Sequence, residues 1–312
     1  MELSIFPSGE VKRMSETHAA RHVPVLLREV ERVLELLPGL IVVDGTVGAA
    51  GHSQMIGARI GSAGRLIGLD RDPMMLAFAA QALTEMNNVT LKQASYVELP
   101  EVLSSLGVAG VDRVLLDLGL SSDQLADESR GFGFRVDGPL DLRFDTRRGQ
   151  SAAEFLRTAG EAELERVLRE YGEDPASGRI ARFLAARATS QPITTGVELA
   201  EAVAECMNVQ RREAGDKHPA TRVFQALRIA VNDELGHVAR GLEESVFRSL
   251  KPGGLAAVIT FHSLEDRIVK QEFRRTERWE NLTPKPIVAT HQEQRFNPRS
   301  RSAKLRVARK VG

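Results

Sequence analysis

Four places in the chain carry residue types that could bind a small charged ligand. They are the run Asp44-Gly45-Thr46-Val47-Gly48-Ala49-Ala50-Gly51-His52, then Asp70, Ser95-Tyr96, and Asp117. A glycine loop lets backbone approach a ligand closely, and the N-terminus of a following helix favours a negative group. A carboxylate such as Asp70, ending a strand, can hold the two hydroxyls of a ribose. Asp44 stands directly before the loop, where it would repel a pyrophosphate but suit an ammonium group. The glycines are spaced G-x-x-G-x-x-G, which differs from the dinucleotide fingerprint G-x-G-x-x-G. Together these features favour S-adenosylmethionine over a nicotinamide dinucleotide. An NAD-linked oxidoreductase and a non-catalytic RNA-binding module are the competing readings. His52 either lines the same pocket or packs beside it as a neutral imidazole. No second His, Cys or carboxylate stands at ligand spacing from it, so no metal is expected.

The elements that must hold these residues follow from the pattern of apolar positions. Leu40–Asp44, Arg65–Leu69, Val89–Lys92 and Val111–Leu116 are short runs rich in β-branched and aliphatic residues, read as strands of a parallel sheet. Helical stretches alternate with them. Asp72 is placed to cap a helix that Pro73 opens. This alternation predicts an α/β fold, a doubly wound, Rossmann-like sheet whose ligands sit beyond the carboxyl ends of the strands; the S-adenosylmethionine site favoured above would make it a methyltransferase sheet. The rhythm breaks at Ser121–Asp145, a loop rich in Gly, Asp and Phe. From Ser151 to about Met207 the pattern is helical throughout, with Leu164, Val167, Leu168 and Tyr171 on one face and a capping box at Thr195/Glu198. Ala220–Leu235 reads as one amphipathic helix, Lys251–Gly254 as a turn and Leu255–Phe261 as a further strand. Ser263/Asp266 has capping-box spacing, and Lys304–Ala308 is expected as a last, edge strand. The predicted organisation is a flexible arm (1–20), a methyltransferase domain (21–127 and 218–312), and an inserted loop plus all-helical domain for substrate recognition (128–217).

Composition narrows the class further. The chain has 312 residues, 42% of them hydrophobic and 27% charged, which suits a globular protein able to bury a core without staples. The single cysteine, Cys206, cannot form an internal disulfide, and a small helix-packing role suits it. No apolar run approaches the ~18 residues that cross a bilayer, and the first twenty residues lack a secretory apolar core. A cytoplasmic address without membrane partners is expected. Lys+Arg and Asp+Glu both number 42, yet from Gln271 onward eleven Lys/Arg face four Asp/Glu, a net of +7. Such a tail is a plausible phosphate footprint.

Long and compositionally unusual blocks then point to a known family. They are HVPVLLREV at His22–Val30, DGTVGAAGHS at Asp44–Ser53, DLGLSSDQL at Asp117–Leu125 and RGFGFRVDGPLDLRFD at Arg130–Asp145. HPATRVFQALRIAVNDEL at His218–Leu235, FHSLEDRIVK at Phe261–Lys270 and NPRSRSAKLRV at Asn297–Val307 complete the set. In these the chain resembles the bacterial ribosomal RNA small subunit methyltransferase H family (RsmH, or MraW). The resemblance implies S-adenosylmethionine-dependent N4-methylation of one cytidine in 16S rRNA, in the decoding region of the small ribosomal subunit. It also implies donor contacts at Ala50, Gly51, His52, Asp70, Tyr96, Asp117 and Gln124, joining Asp44 and Gly48 of the loop. Ala50 stands where the family's loop has glycine. If that position needs φ > 0, alanine there costs up to ~1–2 kcal/mol.

The chemistry asks for a few more groups. The lone pair of a cytosine 4-amino nitrogen is delocalised into the ring, so an acceptor for its N–H assists attack. The turn after the fourth strand, with Ser121 or Ser122, is one source, and His262 is another. The loop residues Arg130, Phe132, Phe134 and Arg135 could stack on unpaired bases. Arg228 and Asn232, four apart on one helix, could reach the RNA or the loop. Arg295, Arg299, Arg301 and Lys304 are expected to meet phosphates. Oligomeric state stays open, a homodimer being one possibility.

Overall fold

The computed structural model describes residues 24–133, 138–208 and 218–312. The expected arm, and Phe134 and Arg135 of the loop, lie outside the described residues. Eight strands make one sheet: β1 (Ile41–Asp44), β2 (Arg65–Asp70), β3 (Val89–Gln93), β4 (Val111–Asp117), β5 (Leu250–Thr260), β6 (Trp279–Asn281), β7 (Ile287–Val288) and β8 (Lys304–Lys310). Their order is β3-β2-β1-β4-β5-β8-β6, with β7 also pairing β8. β1 to β5 run parallel, and β8 lies antiparallel to β5, β6 and β7. The chain moves outward from β1 through β2 to β3, then returns to place β4 on the other side of β1. That reversal is the switch point where such sheets bind ligands.

Side chains alternate across the strands as a sheet buried on both faces requires. Val43, Ile67, Leu116 and Val258 pack on one face, and Val42, Leu66, Leu115 and Ile259 on the other. A separate core holds the helices Ala152–Thr158, Glu161–Glu170, Ser177–Ser190 and Gly196–Cys206. Leu164, Val167 and Leu168 are buried in it, as their spacing predicts, and Cys206 packs there too. The capping box at Thr195/Glu198 forms with both reciprocal bonds, and Asp72 accepts the Met74 N–H at 3.0 Å.

Four local expectations change. β8 is not an edge strand, because the short segments β6 and β7 pair onto its outer side. The helix from Ala220 ends at Asn232; Asp233 adopts φ 49° and a new helix starts at Glu234. Lys251–Gly254 is drawn into β5 as an irregularity, since the pairing steps from Val111/Leu250 to Arg113/Leu255. The helix Ser263–Glu272 is capped by His262 with Glu265, one residue earlier than Ser263/Asp266. The apolar face of Ala220–Asn232 (Val223, Phe224, Leu227) joins the helical core, although its sequence neighbours return to the sheet. Among the described residues no helix is long and apolar enough to cross a membrane.

Candidate active site

The glycine loop hangs across the switch point by its own backbone. Gly45 N–H reaches Leu115 O of β4 at 2.9 Å, and Val47 N–H reaches Leu69 O of β2 at 2.8 Å. Beside it opens a cavity whose wall includes Gly48, Asp70, Tyr96, Gly119, Ser121 and Gln124. Asp70 ends β2 there. Its carboxylate accepts N–H bonds from Gly48 and Asp72, each at 2.9 Å. Burial nevertheless pushes it up to about 6, the two backbone N–H groups pulling the other way. Each oxygen keeps a lone pair for a ligand hydroxyl. Tyr96 is buried with its ring against Gly241, where an added Cβ would lie 2.5 Å from the ring. Its phenol is pushed above its ordinary range by burial, so it stays neutral.

A second cavity continues from the first past Gly48, Leu118 and Ser121 to Gly51, His52, Asp117 and Arg299. Asp117 ends β4. Its N–H donates to Thr46 Oγ1 at 2.6 Å, its Oδ2 lies 3.5 Å from His52 Nδ1, and its buried Oδ1 has no hydrogen-bond partner among the described residues. Burial lifts this carboxyl to about 7, against the pull of the Arg299 charge. His52 lies 3.0 Å from Val25 O through Nε2, which assigns the proton to that nitrogen. Burial holds the imidazole below its ordinary pKa. An unprotonated Nδ1 facing a carboxylate is repulsive unless the carboxyl carries the proton, which agrees with the raised Asp117.

A third, more open cavity lies between the helical core and the ends of β4 and β5. Gly119 borders both it and the first cavity, and its wall includes Phe132, Arg228, His262 and Arg299. Gly119 has φ 114°, and a Cβ there would stand 3.1 Å from the Phe261 ring. The turn after β4 can therefore approach its neighbours only with glycine at this position.

Several expected site residues are brought into this cleft, and several are not. Asp44 does not face either cavity. It is 1% exposed, and its oxygens accept the Ser53 hydroxyl at 2.7 Å and the Thr46 N–H at 3.3 Å. It shapes the loop, and the carboxylate that lines the second cavity is that of Asp117. Ala50 has φ 67° and is fully buried, so the strain anticipated from its sequence position is present. Ser121 caps the helix Ser122–Ala126: its Oγ accepts the Gln124 N–H at 2.9 Å and faces Met75 Sδ at 3.1 Å. That spends the hydroxyl on structure rather than on a proton. Gln124 Nε2 donates to Asp72 at 2.9 Å. Ser122 Oγ accepts from Arg299 at 2.8 Å. His262 Nδ1 takes the Glu265 N–H at 3.4 Å and its Nε2 lies 3.1 Å from Glu265 Oε1.

Of the RNA-facing candidates, Arg130 and Asn232 turn inward. Arg130 is 8% exposed, pairs with Asp72 at 3.2 Å, and donates to Phe144 O at 3.0 Å. Asn232 accepts the Phe144 N–H and donates to Leu142 O, each at 2.7 Å, which pins the loop to its helix. Arg228 forms a two-bond pair with Glu234 at 2.7 and 2.9 Å. Phe132 is buried, stacked on Phe144 with ring centroids 5.9 Å apart. Lys304 pairs with Asp266 at 3.2 Å. Arg295 and Arg301 are exposed, whereas Arg299 points into the cleft.

Sequence reasoning missed Glu234 and Glu265, which line the first cavity. They and His262 each bring one ligand-capable atom within 4.8 Å of the others. Arg228 neutralises Glu234, and two backbone donors, the Phe261 and His262 N–H groups, hold Glu265, with His262 Nε2 3.1 Å from its other oxygen. Burial opposes the charge of Glu265, but those bonds keep its carboxyl below the ordinary range. The group reads as an ion-pair network along the cleft wall. Its one sequence signal is the spacing of His262 and Glu265.

The comparison with known proteins now decides what this cleft belongs to. The family described as "MraW methylase family" matches residues 19–311. The chain belongs to the MraW methylase family. A protein of Thiobacillus denitrificans named ribosomal RNA small subunit methyltransferase H is 46% identical over 308 residues, 93% of this chain and 97% of that one. The protein of that name from Trichlorobacter lovleyi is 44% identical, covering 96% of this chain and 100% of its own. A third, from Heliobacterium modesticaldum, is 42% identical over 93% of this chain. The chain is thus a methyltransferase, and its methyl donor is S-adenosylmethionine. Its cleft fits that donor. A carboxylate with free lone pairs, Asp70, and a buried aromatic ring, Tyr96, meet in the first cavity, and an Asp117 oxygen without a hydrogen-bond partner among the described residues lies in the second.

Proposed function

We propose that this chain methylates N4 of one cytidine in the 16S rRNA of the small ribosomal subunit. The observation that carries the reading is the meeting of two cavities at the turn Leu118–Leu120, directly after β4. One suits the donor, and the other is large and open enough for an unstacked base. The names of the relatives supply the RNA class.

When bound, S-adenosylmethionine supplies a methyl group already activated on a sulfonium, which leaves alignment and water exclusion to the protein. Asp70 would hold the ribose hydroxyls, Tyr96 would contact the adenine, and Asp117 would take the donor's ammonium. The target base leaves its stack and enters between Phe132, Arg228 and His262, its amine directed at the turn after β4. Backbone carbonyls of that turn accept the amine N–H as nitrogen gains positive charge. Ser122 and Arg299 support the turn, and Ser121 with Gln124 fixes its exit. The loop and helical unit (128–217), with the exposed Arg295 and Arg301, face the RNA.

Mass mapping of rRNA nucleosides after incubation with unmodified small subunits and donor tests this reading. N4-methylcytidine at a single site is expected. Methylation on another base, or at cytosine carbon 5, would overturn the assignment. An NAD-linked role predicts thermal stabilisation by NAD and none by S-adenosylhomocysteine, the reverse of what this reading expects.

A further inference from the structure

Arg299 lies between the exposed Arg295 and Arg301, yet it lines the donor cleft. It donates to Ser122 Oγ at 2.8 Å, and its charge is felt at Asp117 and Asp123. The segment that carries it is anchored. Ser300 is fully buried, with its N–H on Asn297 O at 3.0 Å and its hydroxyl on the same oxygen at 2.8 Å. Glu293, one helix earlier, accepts the Leu26 N–H at 2.7 Å. The same cavity is lined by Gly51 and His52, the first turn of the ten-residue helix Gly51–Ile60. Arg299 and that helix end both favour a negative group, while Asp117, which lines the same cavity, favours a positive one. The cavity thus presents the charge pattern that complements an α-amino acid zwitterion.

We infer that Arg299 binds the α-carboxylate of the donor's methionine tail, so that the C-terminal segment completes a site the glycine loop begins. The inference rests on the donor assignment above and moves Arg299 from the RNA footprint into donor binding. Arg299 is a binding residue, held at its angle by Ser122, and it takes no part in proton transfer.

The test compares ligands that differ only in the amino-acid tail. Calorimetry would measure S-adenosylhomocysteine and 5′-methylthioadenosine, which lacks ammonium and carboxylate, on wild type, Arg299→Ala and Arg299→Lys. Losing a charge-assisted carboxylate contact should weaken S-adenosylhomocysteine about 10–100-fold in Arg299→Ala. 5′-Methylthioadenosine should bind both proteins alike, which also reports that the variant is folded. Arg299→Lys should recover part of the loss. Equal weakening of both ligands, or unchanged S-adenosylhomocysteine binding with a raised KM for small subunits, would overturn the inference. If wild type binds neither ligand, the donor assignment itself falls and the inference with it.

Discussion

Replacing Asp117 with asparagine keeps the side chain's shape and removes its charge. In the free protein, burial lifts this carboxyl from 3.8 to about 7. At ~1.36 kcal/mol per pKa unit, holding it ionised in the fold costs up to ~4 kcal/mol. The side chain is 19% exposed, so solvent relieves part of that, and ~2 kcal/mol is a fair expectation. The sign follows from the raised value: the penalty is absent below the unfolded pKa near 3.8 and grows as pH rises through about 7. Asp117→Asn should therefore be the more stable protein without ligand. The gap should widen from pH 4 toward 7 and stay level above, at ~4 °C in melting temperature for a chain of this size. Binding should move the other way. Without the carboxylate for the ammonium, S-adenosylhomocysteine should bind about 10–100-fold more weakly at pH 7.5. Wild-type affinity should rise between pH 6 and 7.5, a dependence the variant flattens. A thermal-shift series across pH, with and without S-adenosylhomocysteine, reads both effects. A less stable Asp117→Asn protein at pH 8, or unchanged affinity, would refute the reasoning.

Other substitutions probe the geometry around it. Gly119→Ala places a Cβ 3.1 Å from the Phe261 ring at φ 114°; a displaced turn should slow methyl transfer about 100-fold, measured as single-turnover rate. Ala50→Gly relieves the left-handed strain of ~1–2 kcal/mol but gives up a buried methyl of ~0.8 kcal/mol. Its denaturation midpoint should stay close to wild type, while Ala50→Val, β-branched at positive φ, should lose more than ~2 kcal/mol. Asn232→Ala strands the Phe144 N–H and Leu142 O; urea denaturation should show a loss of ~2–4 kcal/mol. Donor affinity should fall with it, since Phe144 lines the first cavity.

The sequence announced the sheet where periodicity and chain-local signals agree. β1 to β4, the Asp72-Pro73 helix start and the Thr195/Glu198 capping box all depend on residues within a few positions of one another. β6 and β7 are three and two residues long, too short for a period to register, so the interior place of β8 was not legible. Polar side chains were harder. Asp44, Arg130 and Asn232 look available for ligands by residue type, but partners decide otherwise. Ser53 sits nine positions from Asp44, Asp72 lies 58 from Arg130, and Phe144 lies 88 from Asn232. Arg299 shows the same limit in reverse: a basic run suggested a surface, and its bond to Ser122, 177 positions away, turns it inward.

A crystal structure with S-adenosylhomocysteine bound tests the central claim most directly. The ribose should rest on Asp70, the adenine along Tyr96, and the amino-acid tail between Asp117 and Arg299, with Asp44 still closed behind Ser53. A tail seated against Asp44, or an adenosine lodged in the open cavity beside His262, would contradict it.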